Sequence, residues 1–261
     1  GVYWGQCDVI YTSLCLTALY MALQKKSARS MILFGMALSF KLQTVFFLPA
    51  LLPLWLRKDI KLRHLALIPA AYMAMMIPAF WGGKSLHHAL TVYTAQASTY
   101  NFMTVNGPSL YNFLPASMDR GTLYTMFSGM AMALGMAMLA IVCLMVCLHR
   151  EHITREGTLL TCLLVLGGVP FFLPKMHERY TFGADVLALA IAAYNPKRVW
   201  LPLLFGLSSY ICYTAGLPGD AIFDLKWATV FQGAAVALTA AALYRSLNEE
   251  KAEAALAEVK A

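Results

Sequence analysis

From Gly121 to Leu148 the chain carries no charged side chain. Wound as a helix, that stretch is about 40 Å long, more than the roughly 30 Å hydrocarbon core of a bilayer. A helix that is apolar all round needs either a large protein core or lipid around it. The run is one of several, and they set the class. Hydrophobic residues make up 60% of the 261-residue chain and charged residues 13%, against about 25% charged in an ordinary soluble domain. The fold class this predicts is all-α: a polytopic membrane helix bundle whose first partner is the lipid bilayer. The net charge of +7 does not point to nucleic acid, because the basic residues stand in short clusters between apolar runs, as orienting loop charges do.

Eight hydrophobic segments are expected, at roughly 8–23, 30–56, 64–81, 122–148, 157–174, 180–194, 198–216 and 226–244. Residues 1–246 form the membrane domain, and 247–261 a charged cytoplasmic tail. The polar and aromatic stretch 82–121 reads as an outer loop with interfacial helices and a turn at Asn106-Gly107-Pro108. Most of the 20 basic residues fall in five places: Lys25–Arg29, Arg57–Arg63, Arg150–Arg155, Lys197–Arg198 and the tail. Placed on the cytoplasmic side, these leave Trp4–Asp8, the 82–121 loop and "PKMHER" (174–179) on the outer face. The expected location is a bacterial cytoplasmic membrane, crossed several times.

Two of those basic clusters are separated by a single apolar stretch, 30–56. Both sit inside only if that stretch turns back, yet its helix length of about 40 Å falls short of the roughly 60 Å that two full crossings need. A short re-entrant helix pair resolves the conflict. Lys41 and Gln43 stand at its middle. A lysine at mid-membrane costs several kcal/mol unless a wet or protein-lined cavity receives it, and snorkelling works poorly so far from either end.

Three polar clusters then fall on one face. Trp4, Gln6 and Asp8 open the chain. Trp4 suits an interface belt, while Gln6 and Asp8 suit either a helix cap or sugar hydroxyls. Lys41 and Gln43 are the second cluster. The third is Lys175, His177, Glu178 and Arg179, with Asp185 further on; if helix begins by Glu178, Asp185 shares its face. Arg179 can hold a phosphate through paired hydrogen bonds, and Glu178 can fix its neighbours. The plain alternative is a charged juxtamembrane turn. A phosphate on a lipid carrier suits basic groups set in an apolar wall. Six cysteines show no zinc-type spacing and read as packing residues; His87 and His88 read as polar loop residues. No metal site is indicated and no cofactor is required, although a divalent ion would be compatible with phosphate chemistry. The small-residue stretch 128–140 permits close helix packing.

"WGQCDVIY", "LSFKLQTVFFLPALL" and "PKMHERYTFGADVLAL" resemble, in this order, three motifs of the polyprenyl-phosphate-sugar-dependent membrane glycosyltransferases of the GT-C class. The nearer likeness is to bacterial proteins related to GPI mannosyltransferases, the more distant one to lumenal glucosyltransferases of asparagine-linked glycosylation. The latter carry His-Phe-Gln-Tyr-Asn where this chain has Trp4-Gly5-Gln6-Cys7-Asp8, Phe-Lys-Gln where it has Phe40-Lys41-Leu42-Gln43, and His-Glu-Lys where it has His177-Glu178-Arg179. The second motif thus departs by one residue. The resemblance implies inverting transfer of a hexose, of mannose or glucose type, from a polyprenyl phosphate to a glycan, lipid or protein acceptor. It implies donor-phosphate binding by His177, Arg179 and Lys41, with Trp4, Gln6, Asp8, Gln43, Glu178 and Asp185 as substrate-binding or supporting residues. The family's catalytic base, an acidic residue of the first outer loop, is expected upstream of Gly1, in sequence missing from this chain.

Two rival readings use the same residues. A flippase for a lipid-linked sugar needs the phosphate site and no base, and commonly shows inverted repeats, which the sequence lacks. A non-catalytic membrane subunit leaves Lys41 unexplained.

Overall fold

The structure, a computed structural model, describes residues 7–97, 101–115, 117–216 and 222–260. It is helical apart from two paired two-residue strands. The elements run α1 (Asp8–Leu23), α2 (Ser27–Phe40), a 3₁₀ stretch Leu42–Ala50 leading into α3 (Leu51–Leu56), and a 3₁₀ turn Leu62–Ala66 leading into α4 (Leu67–Met75) and α5 (Ile77–Trp81). Then come α6 (Leu86–Ala97), β1 (Thr104–Val105), a 3₁₀ turn Leu110–Phe113, α7 (Arg120–Leu148), α8 (Arg155–Phe172), β2 (Met176–His177), α9 (Phe182–Tyr194), α10 (Trp200–Gly216) and α11 (Leu225–Lys260). Five helical stretches among the described residues are long and apolar enough to cross a membrane: Leu62–Trp81, Arg120–Leu148, Arg155–Phe172, Pro196–Gly216 and Leu225–Asn248. Four shorter apolar helices accompany them, at Asp8–Leu23, Ser27–Phe40, Leu42–Leu56 and Phe182–Tyr194. The expected segment 30–56 is therefore two pieces, broken at Lys41, whose backbone is extended (φ −157°, ψ 135°). The charged tail continues α11 as far as Lys260.

The chain divides into two compact units. One is Gly1–Leu48 with Lys58–Asn101; the other is Pro49–Arg57 with Phe102–Ala261. The stretch 82–121, expected to act as one loop, is shared between them.

In the first unit α1 packs along α2, and α2 along α4. Along α1 the buried apolar positions are Tyr11, Cys15, Ala18, Leu19 and Ala22, at helical spacing, while Val9, Ile10 and Tyr20 are exposed. Small residues on the buried stripe let the helix axes approach. Gly35 of α2 shows how closely. A Cβ there would stand 2.4 Å from the Ile68 carbonyl oxygen and 2.7 Å from Ala71 Cβ.

In the second unit α8 lies at the centre, against α7, α9 and α11, and nearly all its side chains are buried. It begins where Thr154 Oγ1 accepts from Gly157 N at 2.7 Å, with Glu156 in the first turn. Gly167 gives room to the Phe205 ring. The outer helices are apolar on their exposed sides as well: Met126, Met130, Met132, Met136, Ile141 and Leu144 along α7 are all exposed. Apolar surface on this scale suits a lipid solvent.

Gly35→Ala is expected to lower the thermal midpoint in detergent, at a cost of about 1–3 kcal/mol for the forced shift of α2 from α4. Gly206→Ala is the control, since a Cβ there meets nothing within 4 Å. Equal midpoints for the two variants would show that α2 and α4 are not in this register.

Candidate functional site

The site in the second unit begins where α8 ends. Pro174 disfavours a helical residue before it, and Leu173 is extended (φ −76°, ψ 149°). Lys175 follows with φ 64°, a left-handed conformation that turns the chain sharply. The next two residues form β2, which pairs in parallel with β1: Thr104 opposite Met176 and Val105 opposite His177. Asn106, with φ 56°, adds a bridge to His177. Lys175 N donates to the carbonyls of Phe102 and Met103 at 3.1 and 3.2 Å, and Glu178 N to Val105 O at 3.2 Å. The Asn-Gly-Pro turn foreseen in the sequence is thus the support of the His-Glu-Arg motif. Gly107 has to be small: a Cβ would come within 2.9 Å of Met176 O.

Side chains fasten the same loop. Tyr111 donates its hydroxyl to Phe172 O at 2.6 Å, and Ser109 Oγ reaches Phe171 O at 3.5 Å. Asn112 Nδ2 donates to Gly107 O at 2.9 Å and to Thr229 Oγ1 at 3.0 Å. Burial pushes the Tyr111 phenol up to about 12, so it stays a donor at any physiological pH. None of these loop residues was singled out from the sequence; the turn at Asn106 was the one signal near them.

His177 and Glu178 are buried. The Glu178 carboxylate stands 3.9 Å from His177 Nδ1 and 3.8 Å from Arg179 Nη1. These are charge contacts, too long for hydrogen bonds. Arg179 Nε is buried without a hydrogen-bond partner. The Tyr180 ring lies 5.1 Å from the His177 ring, and Lys175 Nζ lies 5.1 Å from the centre of the Tyr124 ring. Helix does not begin at Glu178. Residues 178–181 form a turn, because Tyr180 N donates back to His177 O, and α9 starts at Phe182. Asp185 therefore does not share a helix face with Glu178. It joins the motif through a polar chain instead: Ser209 Oγ donates to Asp185 Oδ1 at 2.9 Å, and the single Thr181 hydroxyl proton is shared between Ser209 Oγ at 3.0 Å and Glu178 O at 3.4 Å.

The first unit holds the remaining charged candidates. Asp8 is buried in the first turn of α1, and Lys41, at the break after α2, donates Nζ to its Oδ1. Lys41 also stands 5.6 Å from the centre of the Tyr11 ring. The lysine that looked isolated in an apolar run thus has a carboxylate 33 residues away in sequence. Gln43 keeps a buried Oε1 without a partner. Trp4 and Gln6 lie outside the described residues. Among the described residues no group of three or more His, Cys, Asp or Glu is placed to hold a metal ion.

Two outcomes follow. Gly107→Ala should loosen β1 from β2, so that the amides of Lys175 and Glu178 exchange hydrogen faster by tenfold or more. Unchanged exchange in 173–181 would refute the pairing. Lys41→Met and Asp8→Asn should each cost about 3 kcal/mol, the penalty for leaving a buried charge or its partner unpaired. The double variant should cost 1–3 kcal/mol less than their sum, at about the size expected for touching residues; strict additivity in chemical unfolding would deny the pair.

Compared with known protein families, curated proteins and solved structures, the chain has no match, and its chemistry has to be read from its own residues.

Proposed function

We propose that this chain belongs to a membrane glycosyltransferase that moves a hexose, of mannose or glucose type, from a polyprenyl phosphate to an acceptor hydroxyl at the outer face, with inversion. The reading is carried by Arg179. Its charge is matched by Glu178 at 3.8 Å, yet its Nε is buried and makes no hydrogen bond. An unmade hydrogen bond of this kind costs about 1–3 kcal/mol. The rest of the guanidinium is within reach, the side chain being 24% exposed, and it is the side chain best shaped to hold a phosphate. His177 stands on the other side of the same carboxylate and supplies a second nitrogen donor. The apolar helices around the unit suit a polyprenyl tail.

In the reaction the acceptor oxygen attacks the anomeric carbon. The bond from that carbon to the phosphate oxygen breaks, and the electron pair leaves on the phosphate. The hydroxyl proton passes to a carboxylate base or to water. Negative charge grows on the departing phosphate, where Arg179 and His177 stabilise it. The phosphate is already a good leaving group, so no protein acid is needed. Glu178 holds the two cationic or donor groups apart, and the Thr181–Ser209–Asp185 chain fixes the turn that presents them. Lys41 is not required in this account, because Asp8 already matches its charge. Break of the 30–56 segment at Lys41 agrees with a re-entrant pair, which is the topology this reading expects.

The test is transfer of labelled hexose from a polyprenyl-phosphate donor by full-length protein in proteoliposomes. His177→Ala and Arg179→Met should each lower kcat by about 10²–10³, the usual loss on removing one donor to a developing oxyanion. Wild-type rates in either variant would remove that residue from the site. Movement of the intact lipid-linked sugar across the bilayer, with no transfer, would make the protein a flippase.

A further inference from the structure

We infer that the pocket between the 102–115 loop and the first turn of α7 binds one pyranose ring, the sugar that accepts the transferred hexose. Its role as acceptor site rests on the glycosyl-transfer reading; the binding itself does not. The pocket has a volume of about 200 Å³ and is lined by Phe102, Thr104, Asn106, Asn112 and Arg120, with Leu225 at one side. That is below the roughly 300–1,000 Å³ of pockets that take drug-sized ligands, so it holds a ring and not a chain.

The lining has unused hydrogen-bonding capacity of the right kind. Within the described residues the Asn106 amide and the Arg120 guanidinium make no hydrogen bond or ion pair to protein; Arg120 rests 5.9 Å from the centre of the Phe102 ring. Asn112 has committed its Nδ2 to Gly107 O and Thr229 Oγ1, which leaves its carbonyl oxygen to accept. A planar amide, a planar guanidinium and a second amide oxygen can each serve vicinal hydroxyls. Phe102, Met103, Leu114 and Leu123 give the apolar wall against which a sugar's C–H face packs. Arg120 is the one cation among the lining residues, which suits a neutral sugar better than a phosphate.

Its place in the fold connects it to the motif. Asn106 lines the pocket and is also the residue whose backbone bridges His177. A ring held there has its hydroxyls next to the strand that carries the proposed phosphate ligand. Attack by one of those hydroxyls would be the carbon–oxygen bond formation described above, with the same bond broken and the same leaving phosphate.

The experiment uses full-length protein in nanodiscs, free of glycoside detergents that would fill the pocket. Saturation-transfer NMR titrates the methyl pyranosides of mannose, glucose and galactose, and inorganic phosphate in parallel. At least one glycoside should bind. Arg120→Gln and Asn106→Asp should each weaken it about tenfold, the value of one hydrogen bond, with an unchanged thermal midpoint. Aspartate tolerates the left-handed backbone at 106 as asparagine does, and Arg120 is exposed, so both variants should fold. Failure of every glycoside to bind, equal affinity in the variants, or tighter binding of phosphate than of any glycoside would overturn the proposal. Glycoside binding that the variants weaken, in a protein that transfers no sugar, would uphold the pocket and remove the enzyme reading. Transfer with an acceptor KM unchanged in both variants would do the reverse.

Discussion

A helix that stops in apolar surroundings leaves its last carbonyls without donors, and in such surroundings each must be satisfied from within the protein. The end of α8 is the instance on which the second unit is built. Pro174 stops the helix, and Leu173 N still reaches Val169 O. The next exposed carbonyls, Phe171 and Phe172, are met by Ser109 Oγ and Tyr111 Oη. Those donors belong to a segment some sixty residues earlier. Satisfying two carbonyls thus anchors the 101–115 loop, and the anchored loop supplies the strand that holds His177 in place. Thr229 extends the tie to α11 by donating to Ser109 O at 2.9 Å.

The same requirement accounts for polar side chains deep in the bundle. Gln232 on α11 donates to Gly167 O at 3.0 Å, and Ser208 on α10 to Ala228 O at 2.9 Å. In both cases a side chain on one helix reaches a backbone carbonyl on its neighbour. Each such bond adds little by itself, about 1 kcal/mol, but it fixes the rotation of one helix against another where apolar contacts alone would tolerate slippage. At the opposite end of α8, Glu156 accepts from Arg198 Nε at 2.8 Å and from Asn195 Nδ2 at 3.1 and 3.2 Å. Arg198, read from the sequence with Lys197 as an orienting charge, therefore also closes the α9–α10 turn onto α8, together with Asn195.

The sequence exposed what depends on composition over many residues. Charge-free runs marked most of the long helices, because the pattern that lipid demands covers a whole span. The break at Lys41 was visible for the same reason: one polar residue in such a run has to be explained. Partners far apart in sequence were not visible. Nothing local in Asp8 announces Lys41, and nothing in Asn106-Gly107-Pro108 announces that its turn lies against Met176 and His177. Asp185 shows the limit from the other direction. Helical spacing offered Glu178 as its neighbour, but a four-residue turn at 178–181 removes that geometry, and the real link passes through Ser209 on another helix. The tripartite role of Tyr111, Asn112 and Ser109 had no trace beyond the polar character of the loop.

Two buried carboxylates in this protein meet their cations differently. Asp8 touches Lys41 directly, so the pair joins matched charges through a hydrogen bond. A pair of this kind holds α1 to the end of α2. Glu178 keeps Arg179 and His177 at charge-contact distance, close enough to neutralise and too far to saturate. Charge neutrality alone does not satisfy a guanidinium: the buried Nε of Arg179 still lacks an acceptor. Between Asp8 and Lys41 the carboxylate and the ammonium are in direct hydrogen-bond contact. At the end of α8 that gap stays open beside a strand pair held by the amides of Lys175 and Glu178, and the proposed phosphate would fill it.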